Sequence, residues 1–319
     1  MRIPHRPVRS YLLAVLGFFA AGLALAQESS TAPSTAPTPS PACRELARRV
    51  DLTAAEAGAI ERNTALFQAA DAGCLPLARR LLDAGASLLA RDHLGAEALA
   101  HAARAGHRDV IELFLAQGAA IDDRNLAGTT ALLSAAESDR GPIVLLLLAK
   151  GADLNLTGRS DLTPLAAAAY NGNDRVVAAL LEHGAKPDAL DTTGKAPILY
   201  AAARGFTPVV RRLLAAGVDP KRVYGNDLTA LMWAAGYEPG YGEHDAVDVV
   251  ALLLDAGAPI DAVDNRGRTA LMIAAEGGHT AVAQALLAHG ADRDLKDKAG
   301  KRARDLAASA DLRAALSTQ

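Results

Sequence analysis

The side chains in this 319-residue sequence that could do chemistry are eight histidines, thirty-six carboxylates and two cysteines. Their spacing offers little. Glu243-His244-Asp245 is a run of metal-ligand types, but three adjacent side chains seldom converge on one ion. No H-E-x-x-H, G-x-S-x-G, phosphate-loop or dinucleotide fingerprint occurs. The remaining carboxylates are scattered and read as solvated faces. Two cysteines are too few for a disulfide scaffold or a cysteine zinc cluster. A formal net charge of −3 gives no basic field to attract a phosphate backbone. The expectation is a protein that is not an enzyme and has no catalytic residues, metal, cofactor or nucleic-acid partner.

The first forty residues read as processing and tether segments. Arg2, Arg6 and Arg9 form a positive start, Tyr11 to Leu23 is an apolar run, and Ala24-Leu25-Ala26 is a small-x-small site before Gln27. Residues 1–26 are thus expected to be a cleaved signal peptide. The run falls short of the ~20 residues needed to span a bilayer, so no stable membrane anchor is expected after cleavage. Cleavage removes three arginines and no acid, leaving a net charge of −6. Residues 27–41 (QESSTAPSTAPTPSP) have the composition of a disordered linker.

The elements that must position any site emerge from composition and period. Half the residues are hydrophobic, yet only 4% are aromatic. A core built from Ala, Leu and Val suits closely packed helices. A landmark ahead of each alanine-rich run falls at Thr64, Glu97, Thr130, Thr163, Ala196, Thr229 and Thr269. A glycine after each leucine-rich run falls at Gly85, Gly118, Gly151, Gly184, Gly217, Gly257 and Gly290. Both series repeat every 33 residues with a single 40-residue step, in unit six, where residues 236–244 carry an insertion. Each unit reads as a capped helix, a turn, a second helix and a left-handed glycine stop.

Thr163-Pro164-Leu165, Gly106-His107, Gly278-His279 and the Leu-Leu-x-x-Gly-Ala runs ending at Ala86, Ala185 and Ala291 carry a resemblance to ankyrin repeats over about residues 60–316. The resemblance implies a mainly α solenoid, with two antiparallel helices and a β-hairpin loop per unit. It divides the chain into an N-terminal helical cap at 42–62, seven full repeats over 63–301 and a truncated capping repeat at 302–319. The cap is expected to hold a short helix near Arg44–Val50, then another over Leu52–Ile60. One departure is visible. The slot that the family fills with His holds Phe67, Ala100, Leu133, Ala166, Leu199, Met232 and Met272, so apolar packing is expected to replace the polar link within each unit. His107 and His279 fall in the family's Gly-His slot, and His183 shares a helix-end slot with His289.

Cys43 in the cap and Cys74 at the second helix of unit one would share an oxidising compartment after export. They read either as a disulfide contributing roughly 3 kcal/mol or as two buried thiols. Nine rings remain beyond residue 26, and seven lie between residues 170 and 241. Tyr200 and Trp233, four residues after the landmark, are expected in the core. Tyr170 and Tyr237 hold slots that the family exposes on its concave face, and Tyr241 lies in the insertion. Carrying the family's variable slots onto this chain and adding two residues of the insertion, Tyr241 and His244, gives a partner surface that also holds Arg104, Glu137, Arg159, Tyr170, Asn171, Lys195, Arg204, Asp227, Tyr237 and Arg266. Units four and six share a variant hairpin, Ser160-Asp161-Leu162-Thr163 and Asn226-Asp227-Leu228-Thr229, with Asp where other units have Gly.

The expected function is a monomeric protein–protein interaction module that binds a periplasmic or envelope protein through its concave face and hairpin tips. An arginine-over-lysine and alanine-rich composition suits a periplasmic home, with an extracellular one as the alternative. The rival functions are a dedicated modulator, chaperone or inhibitor of one envelope enzyme, with a stress-related role, and a released effector.

Overall fold

The structure, a computed structural model, describes residues 40–53, 58–236 and 243–317. Helix α1 (Pro41–Thr53) precedes seven helix pairs. The first, inner helix of each pair is α2 (Ala59–Ala72), α4 (Ala98–Ala105), α6 (Ala131–Glu137), α8 (Pro164–Tyr170), α10 (Pro197–Ala203), α12 (Ala230–Ala235) and α14 (Ala270–Gly277). The second, outer helix is α3 (Leu75–Asp83), α5 (Arg108–Ala116), α7 (Gly141–Ala149), α9 (Asp174–Glu182), α11 (Thr207–Ala215), α13 (Glu243–Asp255) and α15 (Thr280–Ala288). A short pair, α16 (Ala303–Leu306) and α17 (Ala310–Ala315), closes the stack. Each inner helix packs on the next in chain order. No strand occurs among the described residues, where the hairpin loops contribute only the isolated bridge between Val223 and Thr229.

The threonine landmark works as a cap. Thr130, Thr163, Thr229 and Thr269 each accept the N–H three residues on, at 3.0–3.3 Å. Three of the four are essentially sealed from solvent, so the hydroxyl satisfies a helix donor that water cannot reach. Thr64 departs from the series. It lies inside α2, and its hydroxyl donates to the Ile60 carbonyl at 2.9 Å. Helix α2 already begins at Ala59, so Thr64 lies a turn inside it and not at its cap. The cap also differs from expectation: α1 is one helix beginning at Pro41, and residues 54–57, where the second cap helix was expected, lie outside the described residues.

The glycine stops have φ between 87° and 95°. At Gly85, Gly118, Gly151, Gly184, Gly217 and Gly290 an added Cβ would meet nothing within 4 Å. The left-handed backbone, not space, therefore fixes glycine there.

Two hairpin solutions coexist. In five units an Asp or Asn anchors the turn: Asp92, Asn125, Asp191, Asp264 and Asp297 each accept the N–H groups two and four residues on, at 2.7–3.1 Å. The glycine three residues after each anchor has φ 76–78°. In units four and six the anchor position holds Gly158 and Tyr224, neither of which can accept those bonds. There Ser160-Asp161 and Asn226-Asp227 take φ 56–62° in pairs. Two successive left-handed residues define the type I′ turn, which needs no side-chain anchor. That is the physical content of the variant sequence.

The choice of turn alters the seam between units. Leu126, Thr192, Asn265 and Lys298 each donate a backbone N–H to the preceding hairpin, to Leu94, Ser160, Asn226 and Arg266 respectively, at 2.9–3.0 Å. Among the described residues neither I′ hairpin donates an equivalent backbone bond to the hairpin before it.

At the N-terminal end Cys43 and Cys74 are joined by a disulfide, which ties α1 to the residue capping α3. Both cysteines are buried. Because stability in a stack is a sum of local terms, Cys43→Ala/Cys74→Ala should lose roughly 3 kcal/mol, concentrated in α1 and unit one. Hydrogen exchange resolved along the chain checks this, and uniform loss across all units would contradict it.

Glu97 occupies the threonine slot of unit two, 4% exposed, and makes no capping bond. It pairs with Arg91 at 3.2 Å, while its second carboxylate oxygen has no partner. Burial, aided by the nearby Asp123, pushes its pKa up. A carboxyl raised in the folded state favours folding at low pH and loses that contribution as pH rises through its folded pKa. Glu97→Thr should therefore stabilise the protein by about 1 kcal/mol at neutral pH, with the gain shrinking as pH falls through the ordinary glutamate range. Urea titrations across pH measure it.

Candidate functional site

The hairpins and inner helices form one continuous face. On it, the residue four positions after the landmark sits opposite the hairpin anchor of its own unit. His101 bonds Asp92 at 3.1 Å and Asp71 at 3.0 Å. The Tyr200 hydroxyl donates to Asp191. The polar link within a unit, expected to be lost with the family histidine, is thus rebuilt one residue later in units two and five. In unit seven Arg268 meets the anchor Asp264 instead, at 2.9 Å, and Glu276 at 2.7 Å. In unit six Tyr224 holds the anchor position. There the Trp233 indole nitrogen is buried without a hydrogen-bond partner.

These links correct the expectation that Tyr200 and Trp233 are core residues. Both are only partly buried and lie on the inner face. Tyr200 meets Tyr170 edge-on, with ring centroids 5.9 Å apart and planes at 81°. The Lys195 ammonium lies 5.6 Å from the Tyr200 ring and 5.3 Å from the Trp233 ring. The Arg204 guanidinium lies 3.9 Å from the Tyr170 ring and donates to the Tyr170 carbonyl. A band of rings and cations therefore crosses units four to six. Burial and the bond to Asp191 push the Tyr200 hydroxyl well above its ordinary pKa. Burial alone would raise Asp191, but the hydrogen bonds from Tyr200, Thr193 and Lys195 outweigh it and hold that carboxyl below its ordinary range.

The other expected surface residues divide into three groups. Glu137, Tyr170 and Asn171 line one cleft with Tyr200, and Arg104 and Glu137 share a smaller one with His101. Asn171 also stitches units, donating to the Ala136 and Glu137 carbonyls at 2.9 and 3.3 Å. Arg104 pairs with Asp71 at 3.0 Å. Arg159, Asp227 and Arg266 are exposed on separate hairpin tips, apart from the band. Tyr237 and Tyr241 lie outside the described residues, as does the His244 side chain. The part of the insertion that is described extends an outer helix: α13 has 13 residues, against nine in the other outer helices.

Four further histidines make structural hydrogen bonds. His107 and His279 bond the carbonyls of Asp71 and Ala235 in the preceding unit, at 3.0 and 2.8 Å. His183 and His289 bond the carbonyl four residues back in their own helices, at 2.7 Å. Among the described residues no group of three or more His, Cys, Asp or Glu is placed to hold a metal ion. No helix there is long and apolar enough to cross a membrane.

A stack of helix pairs joined by hairpin loops defines a helical-repeat scaffold. The family description "Ankyrin repeats (3 copies)" matches residues 66–158, 157–224, 200–297 and 231–315. The chain belongs to the ankyrin-repeat family, whose members are general protein–protein interaction modules and typically non-catalytic. No curated protein matches the chain.

Tyr200→Phe removes one donor from a nearly buried carboxylate and should cost about 1 kcal/mol. A carboxyl whose pKa is depressed by folding stabilises above the ordinary aspartate range and loses that contribution in acid. The variant should therefore lose less stability than wild type on acidification. Thermal midpoints at neutral and acid pH test both effects.

Proposed function

We propose that this chain is an exported, periplasmic protein that binds an envelope protein through the inner face of units four to six. The observation that carries the reading is the band of Tyr170, Tyr200, Trp233, Lys195 and Arg204. Rings and arginines held in fixed positions lose little entropy on binding, and such residues dominate interface energies. An inner face of several units offers area for a standard interface, on the order of 1,600 Å² in total. The signal-like residues 1–26 and the Pro/Ser/Thr tract that follows support export. So does the Cys43–Cys74 bond, which persists in oxidising compartments.

The test is capture from periplasmic extract by wild type and by Tyr170→Ala/Arg204→Ala. The variant should retain its thermal midpoint and lose about tenfold or more of the captured partner, as expected when a hot spot is truncated. Equal capture would place the binding surface elsewhere. A mature N-terminus at Gln27, read by mass spectrometry of the periplasmic fraction, is the expected sign of export. An intact residue 1 in the cytoplasmic fraction would overturn it.

A further inference from the structure

The slot that links each inner helix to its hairpin holds His101, Ser134, Ala167, Tyr200, Trp233 and Ile273 in successive units. Ala167 is the smallest of these, and the matching anchor position holds Gly158. Unit four thus lacks the large side chain that units two and five carry at this point of the inner helix. A cleft of about 350 Å³ opens there, lined by Glu137, Leu162, Ala167, Tyr170, Asn171 and Tyr200. It spans units three to five and lies at the N-terminal end of the band of rings.

The chemistry of the lining is one-sided. Glu137 is its sole acidic or basic side chain, and no described residue donates to its carboxylate. Asn171 spends its amide N–H groups on the Ala136 and Glu137 carbonyls, which leaves its side-chain oxygen as an acceptor. The Tyr200 hydroxyl is committed to Asp191. Two phenol rings complete the walls. An anion would find one donor, the Tyr170 hydroxyl, facing a carboxylate. An apolar group would strip water from Glu137 and return nothing. A cation with N–H donors meets the carboxylate and the amide oxygen together, while its alkyl stem packs on Leu162, Ala167 and the rings. The same rings already hold Arg204 and Lys195, neither of which lines the cleft.

We infer that this cleft receives a basic side chain, the guanidinium or ammonium group of an Arg or Lys residue on the partner protein. Its volume is at the lower end of ligand pockets and admits one long side chain. The inference rests on the inner face being the binding surface. The protein packed around Glu137 also pushes its pKa up, a penalty that a seated cation would offset.

The test uses the full mature chain with its disulfide intact. N-acetyl-arginine and N-acetyl-lysine methylamides are titrated against it, with the citrulline and norleucine methylamides as uncharged controls. Binding is followed by NMR at the Asn171 side-chain amide and the Tyr170 ring. Saturable binding of both basic probes is expected, with the neutral probes about tenfold or more weaker, as loss of a charge-assisted contact predicts. Glu137→Gln, at an exposed position, should weaken the basic probes by a similar factor, and Ala167→Leu should abolish binding by filling the cleft. Equal binding of the neutral probes would overturn the assignment, as would basic binding unchanged in Glu137→Gln or no saturation by either basic probe.

The same variants in the capture assay separate the two readings. If Tyr170→Ala/Arg204→Ala loses the partner while Glu137→Gln and Ala167→Leu keep it, the face stands and the cleft falls. If all variants keep it, both fall.

Discussion

Close approach of successive inner helices is the contact on which the rest of this structure depends. Each contributes a pair of alanines to it: Ala69-Ala70, Ala102-Ala103, Ala135-Ala136, Ala168-Ala169, Ala201-Ala202, Ala234-Ala235 and Ala274-Ala275, all at most 3% exposed. A larger side chain in these positions would push the units apart and break the seam of hairpin and side-chain bonds above them. The outer helices supply the bulkier apolar layer, such as Val110, Ile111 and Phe114 or Val209, Val210 and Leu213. The scarcity of rings in the sequence follows from this geometry, since an alanine-lined seam and a leucine-lined outer layer leave few ring-sized gaps.

With the spacing fixed, the polar groups that link neighbours become predictable in position and variable in kind. The residue after each inner-helix turn reaches back one unit whether it is His107, Arg140 or His279, each meeting a carbonyl of the preceding unit. At Gly172 the equivalent neighbour is the Phe206 ring, packed so closely that an added Cβ would lie 2.7 Å from it. One geometric demand is met by hydrogen bonding in some units and by packing in another.

The architecture was legible in the sequence because each helix start and stop has a local chemical cause repeated at fixed spacing. The threonine caps and left-handed glycines could be read residue by residue. Thr64 misled because its helix start depends on what precedes unit one, which the repeat pattern does not encode. The cleft was hidden for a related reason. Glu137 and Tyr170 stood out as variable-slot residues, but the space between them opens at Ala167, whose importance lies in what it lacks. Tyr200 looked like core because an aromatic in an inner helix usually is. Its placement becomes legible only when it is paired with Asp191, nine residues earlier, as His101 is with Asp92.

The type I′ turn of unit four has a mechanical consequence. Its hairpin donates no backbone bond to that of unit three, and that junction is held in the hairpin layer by side chains, among them Arg124, which donates to the Thr157 carbonyl at 2.8 Å. The next junction, between units four and five, is fastened by Thr192 to Ser160. Glu137 stands on one side of the looser joint, and Leu162, Tyr170 and Tyr200 stand on the other. Asn171 crosses this joint to the Ala136 and Glu137 carbonyls and Asn173 crosses it to Asp139, so side chains set the space between carboxylate and rings. The carboxylate and the rings of the cleft thus meet across the one kind of junction that the hairpin backbone leaves to side chains.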